Sequence, residues 1–465
     1  MGVGVGWDIN ATIAAKIGFA SHQNAIPLIR ELSVTSAAKR ALEGLKLSLF
    51  ADPPFVQPKS WRIDGTDPGD TLRIADRDIA LNATLLRDLT ESLSGTLTFL
   101  LTDHEGAKLA ELCQPVQLLA HNHWGGAGAM ADLLPAFVMP NDPATDRVVK
   151  AASDVLRRAG KPDALDRYRS GRRERVWELA SAIWSAVAGL RLSYVLPPAS
   201  FEQAGQKIRT PSQILDGRIA TCLDTALLFA AALEQSSLNP LLVLTEGHAF
   251  VGVWMQPAEF AKILTREAAA LRRRLDLDDL IVFETTLATH SPPATFSQAI
   301  AAAGRQIAEG AEARFEMAID VRRARMQKIR PLGVAAAPLA IEDGAPPVAE
   351  ALEIAPTLPP FEVEAAETVP TPGGRILQWQ RKLLNLTTSN RLLHLPDSAS
   401  AVRLLCPDPG TLEDILASGR KVRIAPMPEL DVGGRDEKLY EQQTLVSLRV
   451  ETAEASMKRG EALGS

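Results

Sequence analysis

The chain has 465 residues, 46% of them apolar and 23% charged, and a formal net charge of −6. That length implies roughly three domains, and the composition excludes a membrane bundle and a wholly disordered chain. The acidic balance leaves no global basic field for nucleic acid or anionic lipid.

Residues 1–23 carry no basic residue before Lys16 and no continuous apolar core, so they read as a leader and not as a signal peptide. The longest apolar run, Ala226–Leu233, falls short of the roughly 18 residues of a spanning helix. Cys113, Cys222 and Cys406 are too few and too scattered for a disulfide framework or a spaced zinc site, which suits a reducing compartment. A cytoplasmic protein with no membrane attachment is expected.

Over residues 24–122, short alternating runs are broken by turn residues: IPLIREL, LKLSLF, TLRIAD, GTLTFLLTD and PVQLLAH. The spacing predicts an all-β immunoglobulin-like sandwich, with Leu97, Phe99 and Leu101 on one face of a strand. His121 and His123 form an H-x-H pair without a third ligand nearby in sequence, so a loop is expected there and not a zinc site.

Residues 131–330 mix helix and strand. Val176, Leu179, Ala180, Ile183, Trp184 and Val187 recur at helical spacing within Arg175–Leu190. A second apolar helix spans Cys222–Gln235, a strand pair Leu241–Met255, a charged helix Phe260–Leu275 and a strand Leu280–Thr286. A last half-buried strand follows, with Phe315, Met317, Ile319 and Val321 on its apolar side. An α+β domain is expected. Residues 331–372 hold nine prolines and seven acidic residues but no lysine or arginine, a composition that cannot bury enough apolar surface to fold alone. They read as a linker. From 373 to 465 a partial, mainly helical or mixed domain is expected, opening on an amphipathic helix over 379–395 and closing on a charged helix.

Chemistry concentrates in 208–254. Thr221-Cys222-Leu223-Asp224 has the form of a capping box, with Thr221 as N-cap and Cys222 first in the helix. Backbone N–H groups and the macrodipole at a helix start favour a thiolate, the attacking form of cysteine. His248 follows Gly247 at the start of a strand, and Glu284 ends the run LIVFE, placed to orient an imidazole. Asp320 is a rival third member on the last strand. The backbone N–H of Cys222 is the cheapest oxyanion donor. Taken singly, such a cysteine is a small buried hydrophobe and such a glutamate a solvated strand end.

A cysteine opening an apolar helix, a Gly-His-Ala-Phe strand and an acid before Thr in the next strand resemble the transglutaminase-like cysteine hydrolase core. That core is a papain-like fold reading roughly G-x-C, H-A-[WF]-V and [DE]-x-T. The resemblance covers about 170–290. It implies Cys222 as nucleophile, His248 as base and Glu284 as third member, acting on an amide bond of a protein or peptide without metal or cofactor. Ala220 stands where glycine is usual, and Glu284 replaces the more frequent aspartate.

WQRKLLNLTTSNRLLHL, residues 379–395, is similar to the K-L-L-[DN]-L-T-x-x-N-R-L-L signature of an uncharacterised domain at the front of large bacterial helicase proteins. Those proteins end in a Vsr-like nuclease domain, and some are linked to antiphage defence. The resemblance covers about 375–450 and implies a helicase or nuclease module as partner, in cis or in trans. Lys382, Asn390 and Arg391 would then face nucleic acid or that module, although exposed helix surface explains them as well. The chain holds no G-x-x-x-x-G-K-[ST] loop and so no helicase motor of that kind. The basic run Arg322, Arg323, Arg325, Lys328 and Arg330 reads as a domain edge. Three readings stay open: a Cys-His-Glu hydrolase or transferase, an inert sensor or scaffold of the same fold, and a nucleic-acid-binding module.

Overall fold

The computed structural model describes residues 6–36, 42–333 and 351–361, with short strands at 404–405, 423–426 and 447–450. The chain divides into two units, Met1–Thr368 and Val369–Ser465. The first is mixed α/β with several sheets.

Its first eight strands are β1 (Trp7–Ile13), β2 (Lys16–Ile17), β3 (Ile29–Ser36), β4 (Leu42–Asp52), β5 (Lys59–Thr66), β6 (Thr71–Arg73), β7 (Leu93–Thr102) and β8 (Lys108–Leu118). They form two sheets, ordered β1-β3-β6 and β2-β8-β7-β4-β5. Ile9, Leu32 and Val34 of the first share one apolar core with Leu47, Leu97, Phe99 and Leu101 of the second. Burying each such side chain stabilises by about 1.5–3 kcal/mol. Part of the expected leader is therefore integral. The alternation of Ile9 and Ala11 with Asp8, Asn10 and Thr12 lets β1 pair antiparallel with β3, Ile9 opposite Val34.

Short strands follow: β9 (His123–Trp124), β10 (Ser193–Tyr194), β11 (Gln206–Lys207) and β12 (Ile219–Ala220). The second large sheet holds β13 (Pro240–Thr245), β14 (His248–Trp254), β15 (Leu264–Thr265), β16 (Leu280–Phe283) and β17 (Phe315–Asp320). Its order is β15-β17-β13-β14-β16, antiparallel throughout. Five helices are numbered here: α1 (Pro143–Arg158), α2 (Arg173–Gly189), α3 (Cys222–Gln235), α4 (Ala268–Asp276) and α5 (Phe296–Gln306). Leu242, Leu244, Ala249, Val251 and Val253 share a core with α1, α2 and α3. Leu241, Val243, Phe250 and Val282 face the other way, against Leu271 of α4 and Ala303 of α5. Every residue of α2 from Val176 to Gly189 is buried, Ser181 and Ser185 included, so the apolar stripe expected there extends to the whole circumference.

Two expectations are corrected. The helix expected over 260–275 begins only at Ala268, because Asp320 takes the Phe260 N–H at 2.9 Å and Leu264–Thr265 pairs with β17. Strand β17 is buried on both faces from Met317 to Asp320, since Met317 and Ile319 enter the core with α1–α3 while Ala318 packs in the core with Leu271 and Ala303. The basic run lies at an edge, with Arg322, Lys328 and Arg330 exposed, while Arg325 pairs with Glu234 at 2.8 Å and Arg323 donates to the Ala261 carbonyl.

Within the expected linker, 351–361 lies against the α/β half of this unit. It has no helix or strand beyond an isolated bridge from Pro360 to Arg172. Proline lacks an N–H but keeps its carbonyl, and Arg173 donates to the carbonyls of Pro359 and Pro360 at 2.9 and 3.0 Å. Phe361 is buried, edge-on to Tyr168. The stretch is ordered by its neighbour and not by itself.

In the second unit, β18 (Leu404–Leu405), β19 (Arg423–Pro426) and β20 (Ser447–Val450) form a sheet ordered β18-β20-β19. Strand β20 falls where a charged helix is expected. The helix expected over 379–395 lies outside the described residues. Among the described residues, no helix is long and apolar enough to cross a membrane.

Candidate active site

Helix α3 starts where the sequence places it, because its cap is local. Thr221 is extended, and its Oγ accepts the Asp224 N–H at 3.2 Å. The Asp224 carboxylate accepts the Thr221 N–H at 2.9 Å, closing the capping box. Asp224 is fully buried, and its remaining capacity is met by the backbone N–H and guanidinium of Arg209, each at 2.9 Å. Cys222 thus sits at the first helical position on a fixed frame. It is 0% exposed.

His248 opens β14 after Gly247, whose φ of +67° favours glycine. Strand β16 runs antiparallel to β14, so its end lies beside the start of β14, and Glu284 caps the turn that follows. Thr225 of α3 meets Thr285, Oγ to Oγ at 3.0 Å. The start of β14, the end of β16 and the start of α3 therefore converge on one end of the sheet.

Glu284 is held by four donors. One oxygen accepts the Thr286 N–H at 3.0 Å and its hydroxyl at 2.7 Å. The other lies 2.7 Å from Nε2 of His248 and 2.5 Å from Nε2 of Gln306. With Nε2 of His248 engaged there, Nδ1 is the nitrogen left for the sulfur, and Cys222 is close enough to act on the titration of the ring. Burial alone would depress the His248 pKa. The hydrogen bonds and charges of Cys222 and Glu284 outweigh it and push the imidazole up to about 10. Burial would raise the Glu284 pKa, but His248 and Thr286 bring it below the usual carboxylate value.

Sequence reasoning missed two contributors. Tyr194 lies beside Cys222; burial first, then its interaction with Cys222, push its own pKa up. It reaches the site because β10 pairs parallel with β12, Tyr194 opposite Ala220, and no local pattern in R-L-S-Y announces this. Tyr194 is 38% exposed, whereas the neighbouring Cys222 has no exposure. Gln306 arrives from the end of α5, a tertiary placement with no sequence signal. Thr286 accounts for the threonine after the acid in the E-x-T pattern.

The rival Asp320 lies elsewhere, which corrects that expectation. It pairs in register with Leu241, at the opposite end of β13 from Thr245, the partner of His248. Its carboxylate accepts from Trp254 Nε1 at 3.1 Å, Phe260 N at 2.9 Å and Arg323 N at 2.8 Å. Burial dominates and pushes its pKa up to about 6. The imidazoles of His121 and His123 turn to separate partners, the Leu89 carbonyl and the Ser92 hydroxyl. Among the described residues, no group of three or more His, Cys, Asp or Glu is placed to hold a metal ion. Lys382, Asn390, Arg391 and Cys406 lie outside the described residues.

A family model for a protein of unknown function, DUF4011, matches residues 382–462. No curated protein matches the chain.

Proposed function

We propose that residues 131–330 form a transglutaminase-like cysteine hydrolase or acyl transferase domain, behind an immunoglobulin-like sandwich and ahead of a helicase-associated segment. The observation that carries the reading is the 2.7 Å contact of Nε2 of His248 with Glu284, which leaves Nδ1 for the sulfur at the start of α3. The Cys222 thiolate attacks an amide carbonyl carbon and forms the C–S bond. The carbonyl oxygen takes the negative charge, with the Cys222 N–H as donor. His248 gives its Nδ1 proton to the leaving nitrogen, the C–N bond breaks and a thioester remains. Water or an amine then attacks the thioester, passes its proton to His248 and restores the thiolate. Glu284 orients the ring and balances its charge throughout.

The test is pre-steady-state hydrolysis of p-nitrophenyl acetate. The expected result is a burst of p-nitrophenol stoichiometric with protein, lost in Cys222→Ala and in His248→Ala. The parent protein giving no burst would overturn the reading.

A second reading, an inert binding domain of the same fold, is favoured by the complete burial of Cys222. Under that reading the thiol stays unreactive in the folded protein. The match over 382–462 fits either reading, with the helicase or nuclease module as partner.

A further inference from the structure

A cavity of about 470 Å³ opens beside the start of α3, with Thr221 in its wall. Its floor is set by a close crossing: a Cβ on Gly205 would fall 2.0 Å from the Trp124 carbonyl, so only glycine lets β11 approach β9 there. The crossing fixes Gln206 and Lys207 in the cavity wall.

Three features give the cavity an anionic preference. Lys207 and Arg209 line it, and Lys16 stands behind Gly205, its ammonium donating only to the carbonyls of Gly125 and Ala204 at 2.9 and 2.7 Å. The acids paired with the two lining cations are Glu91, exposed and bound to Lys207, and the buried Asp224, taken by Arg209 and the cap, and Glu202 lies buried three residues before Gly205. His123 also lines the cavity, and burial, then Lys16 and Lys207, hold its pKa low. The 14-residue helix α3 presents its N-terminal dipole from the Thr221 side.

Gln206 adds an independent observation. It is 3% exposed and lines the cavity. Its Nε2 bonds the Thr221 hydroxyl at 3.1 Å while its Oε1 has no partner. The Thr221 Oγ already accepts the Asp224 N–H, so it has a proton to give. With the amide turned by half a revolution Oε1 takes that proton, and the NH₂ becomes the buried group without a partner.

The mouth is apolar. Leu196 is 80% exposed, and Val195, Tyr194 and Ile219 beside it are large, apolar and left in solvent. Exposed apolar groups gathered this way mark a contact surface.

We propose that this cavity receives an acidic side chain of a polypeptide acyl donor, with Tyr194, Val195 and Leu196 packing on an apolar neighbour, so that Cys222 acts on amides beside an acidic residue. The proposal rests on the hydrolase reading for its chemistry, but not for its binding preference. The test compares acetyl-Leu-Asp, acetyl-Leu-Asn and acetyl-Leu-Lys vinyl sulfones as alkylators of Cys222 in the full chain, followed by intact mass. The reaction is run at about pH 8.5, where an ordinary thiol is half ionised whatever His248 does. Ratios are taken within each protein, so differences in intrinsic thiol reactivity cancel. The Asp probe is expected to react about tenfold faster than the Asn probe, as for one charge-assisted hydrogen bond. That ratio is expected to fall below about threefold in Lys207→Gln, and Lys207→Glu to favour the Lys probe. An Asp probe no faster than Asn, or a preference unchanged in both variants, overturns the proposal. If iodoacetamide alkylation at pH 6 is unaffected by His248→Ala, the hydrolase reading falls while the Asp preference still decides the cavity. No alkylation by any probe at pH 8.5 overturns both.

Discussion

Replacing Glu284 by glutamine isolates what the carboxylate does to His248. The imidazole stands near 10 because hydrogen bonds and charges from Cys222 and Glu284 overcome its burial. One hydrogen bond to a charged group contributes about 1.5–3 kcal/mol, which at 1.36 kcal/mol per pKa unit is about one to two units. The His248 midpoint in Glu284→Gln should therefore fall from about 10 to about 8–9. A tautomer change should accompany it. Four donors face the Glu284 oxygens, and an amide keeping its oxygen on Thr286 turns its NH₂ towards His248. Nε2 must then accept, the proton moves to Nδ1, and the ring can no longer serve as base towards Cys222. Titration of ¹⁵N-histidine protein by NMR reads midpoint and tautomer together. The sign of the linked stability follows. Since His248 is raised in the fold, its contribution is full below about pH 6.5 and is lost as pH rises through about 10, on the order of 5 kcal/mol in the parent and less in the variant. An unchanged His248 midpoint in Glu284→Gln would refute the reasoning.

Other outcomes follow from the same contacts. Asp320→Asn should cost about 2–5 kcal/mol in urea denaturation, because one accepting oxygen cannot serve Trp254, Phe260 and Arg323. It should leave the His248 titration unmoved. The parent Asp320, raised to about 6 by burial, contributes stability below about pH 3.8 that is lost as pH rises through 6, and Asp320→Asn should lack that decline. Thr221→Ala should lower stability by about 1 kcal/mol through loss of the cap; a neutral result would mean that Asp224 alone holds the helix start. Tyr194→Ala should speed alkylation of Cys222 by iodoacetamide, since this partly exposed ring neighbours a sulfur with no exposure of its own; an unchanged rate would mean that reagents arrive by another route. Phe361→Ala should raise cleavage within 351–361 by added protease, because that ring against Tyr168 anchors the segment; equal cleavage would place the anchor at Arg173.

What could be read from sequence was what local chemistry decides. The extent of α3 follows from a capping box complete within Thr221–Asp224 and from an apolar run that ends at Gln235. Phe99 and its neighbours on β7 declare their face by alternation alone. Charge density misled over 260–275, where a contact from Asp320, sixty residues on, holds Phe260 out of the helix. Composition described the proline-rich stretch as unable to fold alone, and could not show that Arg173 reads the carbonyls of Pro359 and Pro360. At the site, the order of Cys222, His248 and Glu284 was visible. Tyr194 and Gln306 were not, because sheet pairing and helix packing bring them in and no spacing in the chain encodes either.

The most direct measurement is the rate of Cys222 alkylation by iodoacetamide from pH 5 to 9, in the parent and in His248→Ala, with Cys222→Ser as the blank. At pH 6 an ordinary thiol with a pKa near 8.5 is almost wholly protonated and unreactive. A thiolate held by the His248 imidazolium is expected to react at pH 6 in the parent and to lose that reactivity in His248→Ala. A Cys222 that reacts only near pH 8.5, or equally with and without His248, would contradict the hydrolase reading and leave this domain as a binding module.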